Sequence, residues 1–178
     1  RHFKSLVNAT LRRLVENRDA FLAGQDAAVL NLPPWLRARW VAAYGEETVR
    51  AIAAALVLEP SLDLSAKGDP AALAALVNGK LLPIGTVRLI PSGPAENLSG
   101  YAEGAWWVQD AAAALPARLM GDVAGRRVAD LCAAPGGKTA ALAAAGARVT
   151  ALDVSAARLR RLAANLQRLG LAAETVAA

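Results

Sequence analysis

Apolar positions recur along this chain first with a helical period and later with a period of two. Residues 3 to about 22 place Phe3, Val7, Leu11 and Leu14 on one helical stripe, with Lys4, Arg12, Arg13 and Arg18 on the other sides. No methionine and no capping residue precede this stretch, so position 1 is read as internal to a longer protein. Pro33 and Pro34 open a second helix whose Leu36, Trp40 and Tyr44 are spaced for one buried face, and Gly45 ends it. Glu46 and Glu47 complement the dipole of a third helix with Val49, Ile52, Ala53 and Leu56 as its stripe, before Pro60 stops it.

The period then changes. Leu62, Leu64 and Ala66 alternate with Asp63, Ser65 and Lys67, which predicts a half-buried strand. A short helix follows, capped by Asp69, started by Pro70, packed through Leu73, Leu76 and Val77 and closed by Asn78-Gly79. Thr86 to Ile90 is the clearest strand after it, so residues 61 to 90 are expected to form a small β-α-β unit, with a polar loop from Pro91 to Gly100. After an apolar run over 104 to 109, Asp110 caps an alanine-rich helix in which Pro116 is expected to bend the axis. Beyond it strands and helices alternate. Val128 to Leu131 and Ala147 to Leu152 read as buried strands, Lys138 to Ala145 and Ser155 to Leu169 as helices, the last closed by Gly170. That order predicts a parallel, right-handed, doubly wound sheet, only the start of which fits before residue 178.

The fold class is therefore α/β, an N-terminal helical segment and a small α/β module followed by the start of a Rossmann-like sheet. Three segments are expected: 1–32, 33–100 and 101–178. A hydrophobic fraction of 55% over 178 residues supports a real core. The net charge of +5 and a pI near 10.0, carried mostly by arginine, suit a phosphate-bearing partner, although genome base composition accounts for an excess of arginine and alanine equally well. With one cysteine and one histidine, intramolecular disulfides are excluded and a Cys/His metal site is implausible. No apolar run reaches the length of a membrane span and no signal-peptide layout is present, so a cytoplasmic protein is expected.

The chemistry concentrates in one loop. Asp130-Leu131-Cys132-Ala133-Ala134-Pro135-Gly136-Gly137-Lys138-Thr139 joins a strand to a helix, where open parallel sheets bind their ligands. Gly136 and Gly137 let the backbone turn and approach a ligand, small Ala133 and Ala134 keep that approach open, and the free N–H groups of the helix start together with Lys138 suit a carboxylate. Asp153, 16 residues after Gly137, ends the next strand where an acid can accept from both hydroxyls of a ribose. The set suits an amino-acid-bearing nucleoside. A P-loop fits less well, because its first glycine would fall on Cys132, and a G-x-G-x-x-G fingerprint is absent.

The run from Asp130 to Thr139 resembles the first motif of the RNA cytosine-C5 methyltransferases. Gln109-Asp110 preceded by Gly104 resembles the entry to their catalytic domain. Asn8-Ala9-Thr10-Leu11-Arg12-Arg13 is similar to the end of the NusB-like helical domain in the Fmu/Sun type of bacterial small-subunit rRNA enzyme. The resemblance implies that Cys132, Ala133, Ala134, Pro135, Gly136, Gly137 and Lys138 hold S-adenosyl-L-methionine and that Asp153 is the ribose acid. It implies small-subunit ribosomal RNA as partner, no metal and no membrane, and a monomer when complete. Family members attack C6 of cytosine with a cysteine thiolate, and a second cysteine assists release. Both belong to later motifs, so no catalytic residue is assigned here, the nucleophile is expected beyond Ala178, and Cys132 reads as a small buried residue. The same resemblance makes Arg12, Arg13, Arg37 and Arg39 the RNA-binding candidates. The rival readings are a non-catalytic RNA-binding or ribosome-assembly protein with a remnant loop, and an NTPase.

Four further features receive plainer expectations. Arg158, Arg161 and Arg168 are expected on a solvated helix face. Trp106 and Trp107 face opposite ways, one in the core and the other packed on the helical region or free to stack a base. Trp35 and Trp40 read as core, and His2 is uninformative.

Overall fold

A computed structural model describes residues 3–90 and 93–178, so His2 and the first two residues of the polar loop lie outside the described residues. The chain divides into two compact units, Arg1–Glu59 and Pro60–Ala178. The helical pair therefore groups with the helices before it and not with the strands after it, unlike the 33–100 segment expected from the pattern.

In the first unit the helix read over 3 to 22 is two helices, α1 (Lys4–Glu16) and α2 (Arg18–Leu22), with Asn17 between them. The Asn17 side chain donates to the Arg13 carbonyl at 2.9 Å, a local bond of the kind that competes with helix continuation. Its apolar stripe is not core: Phe3, Val7, Leu11 and Leu14 are all exposed. After α3 (Ala27–Leu30), helices α4 (Pro34–Tyr44) and α5 (Glu46–Ala55) start and stop where Pro34, Gly45 and the paired glutamates require. Leu32, Val49 and Ala53 are buried between them, with Leu36, Trp40 and Val41 packed alongside. Trp35, Tyr44 and Leu56 are exposed. Trp35 sits about 100° around the helix from Leu36, and Tyr44 is the last residue of α4, beyond the reach of the α5 stripe.

The second unit begins with an antiparallel sheet of order β2-β3-β1-β4, made of β1 (Leu62–Ala66), β2 (Lys80–Leu81), β3 (Thr86–Leu89) and β4 (Trp106–Val108). The β-α-β expectation is corrected here. Helix α6 (Pro70–Leu76) does follow β1, capped by Asp69, but Asn78 in the left-handed region and the turn at Gly85 fold the chain back, and β3 runs antiparallel to β1. Leu76 is exposed, whereas Leu64, Leu73, Val87 and Trp106 form the core of this module. Strand β1 is buried on both faces, since Asp63 and Ser65 are as inaccessible as Leu64.

A buried carboxylate needs partners, and Asp63 accepts three hydrogen bonds from two residues. Arg88 donates from Nε and Nη2 at 2.7 Å each, and the Ala111 backbone N–H donates at 3.0 Å. The side-chain bonds from Arg88, helped by the Ala111 N–H and the Arg88 charge, hold Asp63 below the usual carboxylate range against the opposing effect of burial. Its stabilisation is complete above the unfolded carboxylate pKa and is lost as pH falls through the lower folded one. The Asp63→Asn variant is expected to lose about 2 kcal/mol at neutral pH and to lose less stability than wild type on acidification. Urea midpoints measured from neutral to strongly acid pH check both points, and parallel pH curves would refute the assignment.

Helix α7 (Ala111–Leu119), capped by Asp110 and continuous through Pro116, leads into a parallel sheet of order β5-β6-β7. Its parts are β5 (Arg127–Asp130), α8 (Gly137–Ala144), β6 (Arg148–Asp153), α9 (Ala156–Leu169) and β7 (Glu174–Ala177). Strand order does not reverse among the described residues, so this is one wing of the expected sheet. Both tryptophans of β4 are core: Trp106 packs in the antiparallel module, and Trp107 packs with Leu159, Leu162, Leu166 and Leu169 of α9. One three-residue strand thus joins two cores, and neither ring is free to stack a base.

Candidate cofactor site

The loop from Leu131 to Gly136 leaves the carboxyl end of β5 and enters α8, facing the carboxyl end of β6. Gly136 is the residue the turn cannot do without. Its φ is +111°, and a Cβ there would lie 3.1 Å from Leu162 Cγ. Gly137 differs. A Cβ on it would meet only the Gln109 amide, at 3.4 Å or more and on the protein side, so its bareness does not open a path to ligand. Ala133 and Ala134 are likewise buried in the core shared with Trp107 and form the back of the loop. Cys132, expected to be buried, is exposed, because it stands beyond the last ladder pair of β5 and β6. Pro135 and Lys138 are exposed too.

The loop side chains open to solvent here are therefore Cys132, Pro135 and Lys138, next to the first turn of α8. That turn has no side-chain cap. Its N–H groups carry the positive end of the helix dipole next to the Lys138 ammonium, an arrangement made for an anion. Thr139 takes no part, since it is fully buried and its hydroxyl donates to Asp130 Oδ2 at 2.7 Å. Asp130 orients the helix start in this way, and the P-loop comparison fails at this second position as well.

Asp153 is buried at the end of β6. Oδ2 accepts from the Ala134 N–H at 3.2 Å, Oδ1 accepts from the Ser155 N–H at 3.0 Å, and Arg158 Nη1 lies 3.4 Å from Oδ2. Oδ1 keeps a second acceptor direction, whereas Oδ2 is shared between Ala134 and Arg158. The structure thus brings Asp153 to the loop it was matched with. Arg12, Arg13 and Arg39 are exposed in the first unit, while Arg37 is paired with Glu46.

Four further residues support the loop and its surroundings, and of these Gln109 stands in a sequence motif that does not reveal the role. Beneath Gly137, Gln109 Oε1 accepts from Ser65 Oγ at 2.9 Å and Trp107 Nε1 at 3.0 Å, and its Nε2 donates to the Ala113 carbonyl at 3.3 Å. Arg158 donates to the Ala134 carbonyl and Asn165 Nδ2 to the Pro135 carbonyl at 3.1 Å. Arg168 donates to the carbonyls of Tyr101 and Trp106 and covers the Tyr101 ring at 4.0 Å. The solvated face expected for these arginines holds for Arg161 and for Arg158, which stays exposed while bonding the loop, and is corrected for the half-buried Arg168. Arginines flanking an apolar stripe can fold back onto carbonyls left open by loops, a choice that helical spacing does not reveal.

Comparison with known proteins follows the same geometry. Residues 118–178 match the family described as 16S rRNA methyltransferase RsmB/F. The chain is 37% identical to ribosomal RNA small subunit methyltransferase B of Pseudomonas putida, over 98% of this chain and 43% of that protein. It is 31% identical to the probable ribosomal RNA small subunit methyltransferase B of Synechocystis sp., over 93% of this chain and 42% of that protein. A solved methyltransferase homolog protein from Pyrococcus horikoshii aligns with a TM-score of 0.62 at 21% identity, over 83% of this chain and 56% of that one, and bears on the fold alone. The chain thus spans less than half the length of the two bacterial relatives. The family match lies on the loop and sheet that build the site, and relatives above 30% identity align along nearly the whole chain, so the chain is similar to one part of the RsmB/F family of 16S rRNA methyltransferases, with residues 118–178 carrying the family match.

Proposed function

We propose that this chain supplies the S-adenosyl-L-methionine site of an enzyme that methylates cytosine C5 in small-subunit ribosomal RNA, the nucleophilic cysteine lying outside these 178 residues. The observation that carries the reading is the uncapped α8 N-terminus, with Lys138 on it, beside a loop bonded to Asp153. The names of the relatives supply the substrate class. The residues fit the cofactor: a carboxylate suits the α8 N-terminus and Lys138, a ribose hydroxyl suits the unused acceptor direction of Asp153 Oδ1, and the exposed edge formed by Cys132 and Pro135 leaves room for the rest. When bound, the sulfonium supplies an electrophilic methyl group. The protein residues here bind and orient it.

Arg12, Arg13 and Arg39, joined by Arg37 once it leaves Glu46, are the arginines assigned to the RNA backbone. The work is assigned to the cytoplasm, where small subunits mature. Among the described residues no helix is long and apolar enough to cross a membrane, and no side-chain cluster suits a metal.

Calorimetric titration of S-adenosyl-L-methionine into the chain is expected to show one site, weakened about tenfold by Lys138→Ala, and no methyl transfer to rRNA by the chain alone. Bisulfite sequencing of small-subunit rRNA from cells lacking the gene is expected to show a lost 5-methylcytosine. An unchanged methylation pattern overturns the cytosine-C5 assignment. Removing the four arginine charges is expected to weaken rRNA binding and flatten its salt dependence by about one unit for each phosphate no longer neutralised, and unchanged affinity would remove them from the interface.

A further inference from the structure

Helix α9 does more than cover the sheet. Arg158 and Asn165 are seven residues apart, two turns of a helix, and so share one side, bordering the buried stripe of Leu159, Leu162, Leu166 and Leu169. Both reach the same place. The Arg158 guanidinium donates to the Ala134 carbonyl, and the Asn165 amide donates to the next carbonyl, that of Pro135, at 3.1 Å. The Ala134 N–H is held from the other side by Asp153, whose carboxylate is also 3.4 Å from Arg158. The N–H and carbonyl of Ala134 and the carbonyl of the next residue are therefore tied to β6 and α9, immediately before the turn at Gly136.

This geometry settles how an apolar, alanine-rich loop keeps one shape. Cys132 to Pro135 offers no side chain able to bond its own backbone, and without outside partners its carbonyls would be satisfied by water in many conformations. A loop that must be ordered at the moment of binding lowers affinity by the free energy of that ordering. Arg158 and Asn165 remove that cost beforehand.

We propose that Arg158 and Asn165 form a clamp that pre-organises the cofactor loop, so that they set cofactor affinity without touching the cofactor. They are positioning residues, and the inference rests on the S-adenosyl-L-methionine reading above. The clamp itself can be tested without any ligand. In the wild-type chain, hydrogen exchange of the Ala133 and Ala134 amides is expected to be protected, because the first is bonded to the Leu152 carbonyl and the second to Asp153. Arg158→Ala and Asn165→Ala should each raise exchange in this segment about tenfold or more while leaving β6 and the buried face of α9 at wild-type protection. Calorimetry with S-adenosyl-L-methionine should then show about tenfold weaker binding for Arg158→Ala, about threefold weaker for Asn165→Ala, and partial rescue by Arg158→Lys, which retains one of the two donors used. A general loss of stability would raise exchange everywhere and would not be rescued by lysine.

The outcomes separate cleanly. Unchanged exchange in both alanine variants overturns the clamp whatever the cofactor does. Raised exchange with unchanged affinity overturns its role in binding. If the wild-type chain takes up no S-adenosyl-L-methionine while loop exchange still responds, the cofactor reading fails and the clamp is refuted as a determinant of cofactor affinity.

Discussion

Trp107→Ala is expected to destabilise the Pro60–Ala178 unit by about 3–5 kcal/mol, the cost of emptying a large aromatic site in a core that collapses only partly. The residue is 6% exposed and packs against Ala133, Ala134 and the leucines of α9, while its strand pairs with β1 of the antiparallel sheet. The loss has a polar part as well, because Gln109 Oε1 would keep only its bond from Ser65. Trp107→Phe separates the two. It fills most of the volume and removes only the indole N–H, so it should cost about 1–2 kcal/mol. Urea unfolding followed by circular dichroism, read on the transition of this unit, measures both. The two-unit division of the chain makes a single overall midpoint unsuitable. Equal costs for the two variants would mean that the hydrogen bond and not the packing joins the cores, and a cost below about 1 kcal/mol for alanine would refute the join altogether.

The parts legible in the sequence were those written in local chemistry. Asp69 and Asp110 each cap the helix they precede, Gly170 closes α9 in the left-handed conformation, and β5, α8, β6 and α9 lie within a residue or two of their expected ends, Ser155 being the cap of α9 and not its first residue. Caps and closing glycines act through bonds to neighbours two to five residues away, so spacing alone contains them. Strand direction is not local. Whether β3 runs with or against β1 depends on the turns at Asn78 and Gly85 and on which face meets α7, and alternation in Leu62–Ala66 is compatible with either. The polar half of β1 misled for the same reason: Asp63 and Ser65 look solvated until Arg88, Ala111 and Gln109, 25 or more residues away, arrive to bond them.

The candidate site shows the same division. The order of small residues, proline, glycines and lysine, followed by an acid at the end of the next strand, specified a loop and its partner, and Asp153 does bond the loop at Ala134. What each residue does within it depended on direction. Ala133 and Ala134 turn inward, Cys132 turns out, and the side-chain position of Gly137 points at Gln109. A motif records which residue types a backbone path tolerates. The path decides whether a small residue is small for the ligand or for the core behind it.

Gly104→Ala is expected to be among the most damaging single-methyl changes available to this protein, at about 3–5 kcal/mol, the sum of a left-handed backbone and an overpacked contact. The residue has φ +65°, and a Cβ on it would lie 2.2 Å from the Arg168 carbonyl oxygen and 2.9 Å from Leu169 Cα. Those atoms are backbone in the last turn of α9, held by Leu166 and Leu169 in the core and by the Gly170 cap, so no side chain can swing aside. Relief would have to come from moving α9 away from β4, which would also break the bonds of Arg168 to Tyr101 and Trp106. Gly121→Ala is the control. Its φ is +67° but nothing lies within 4 Å of its Cβ position, so it carries the backbone cost alone, about 1–2 kcal/mol. The difference between the two urea midpoints reports the contact between the end of α9 and the turn that leads into β4. If the two variants lose equal stability, that turn and α9 are not in the close contact described.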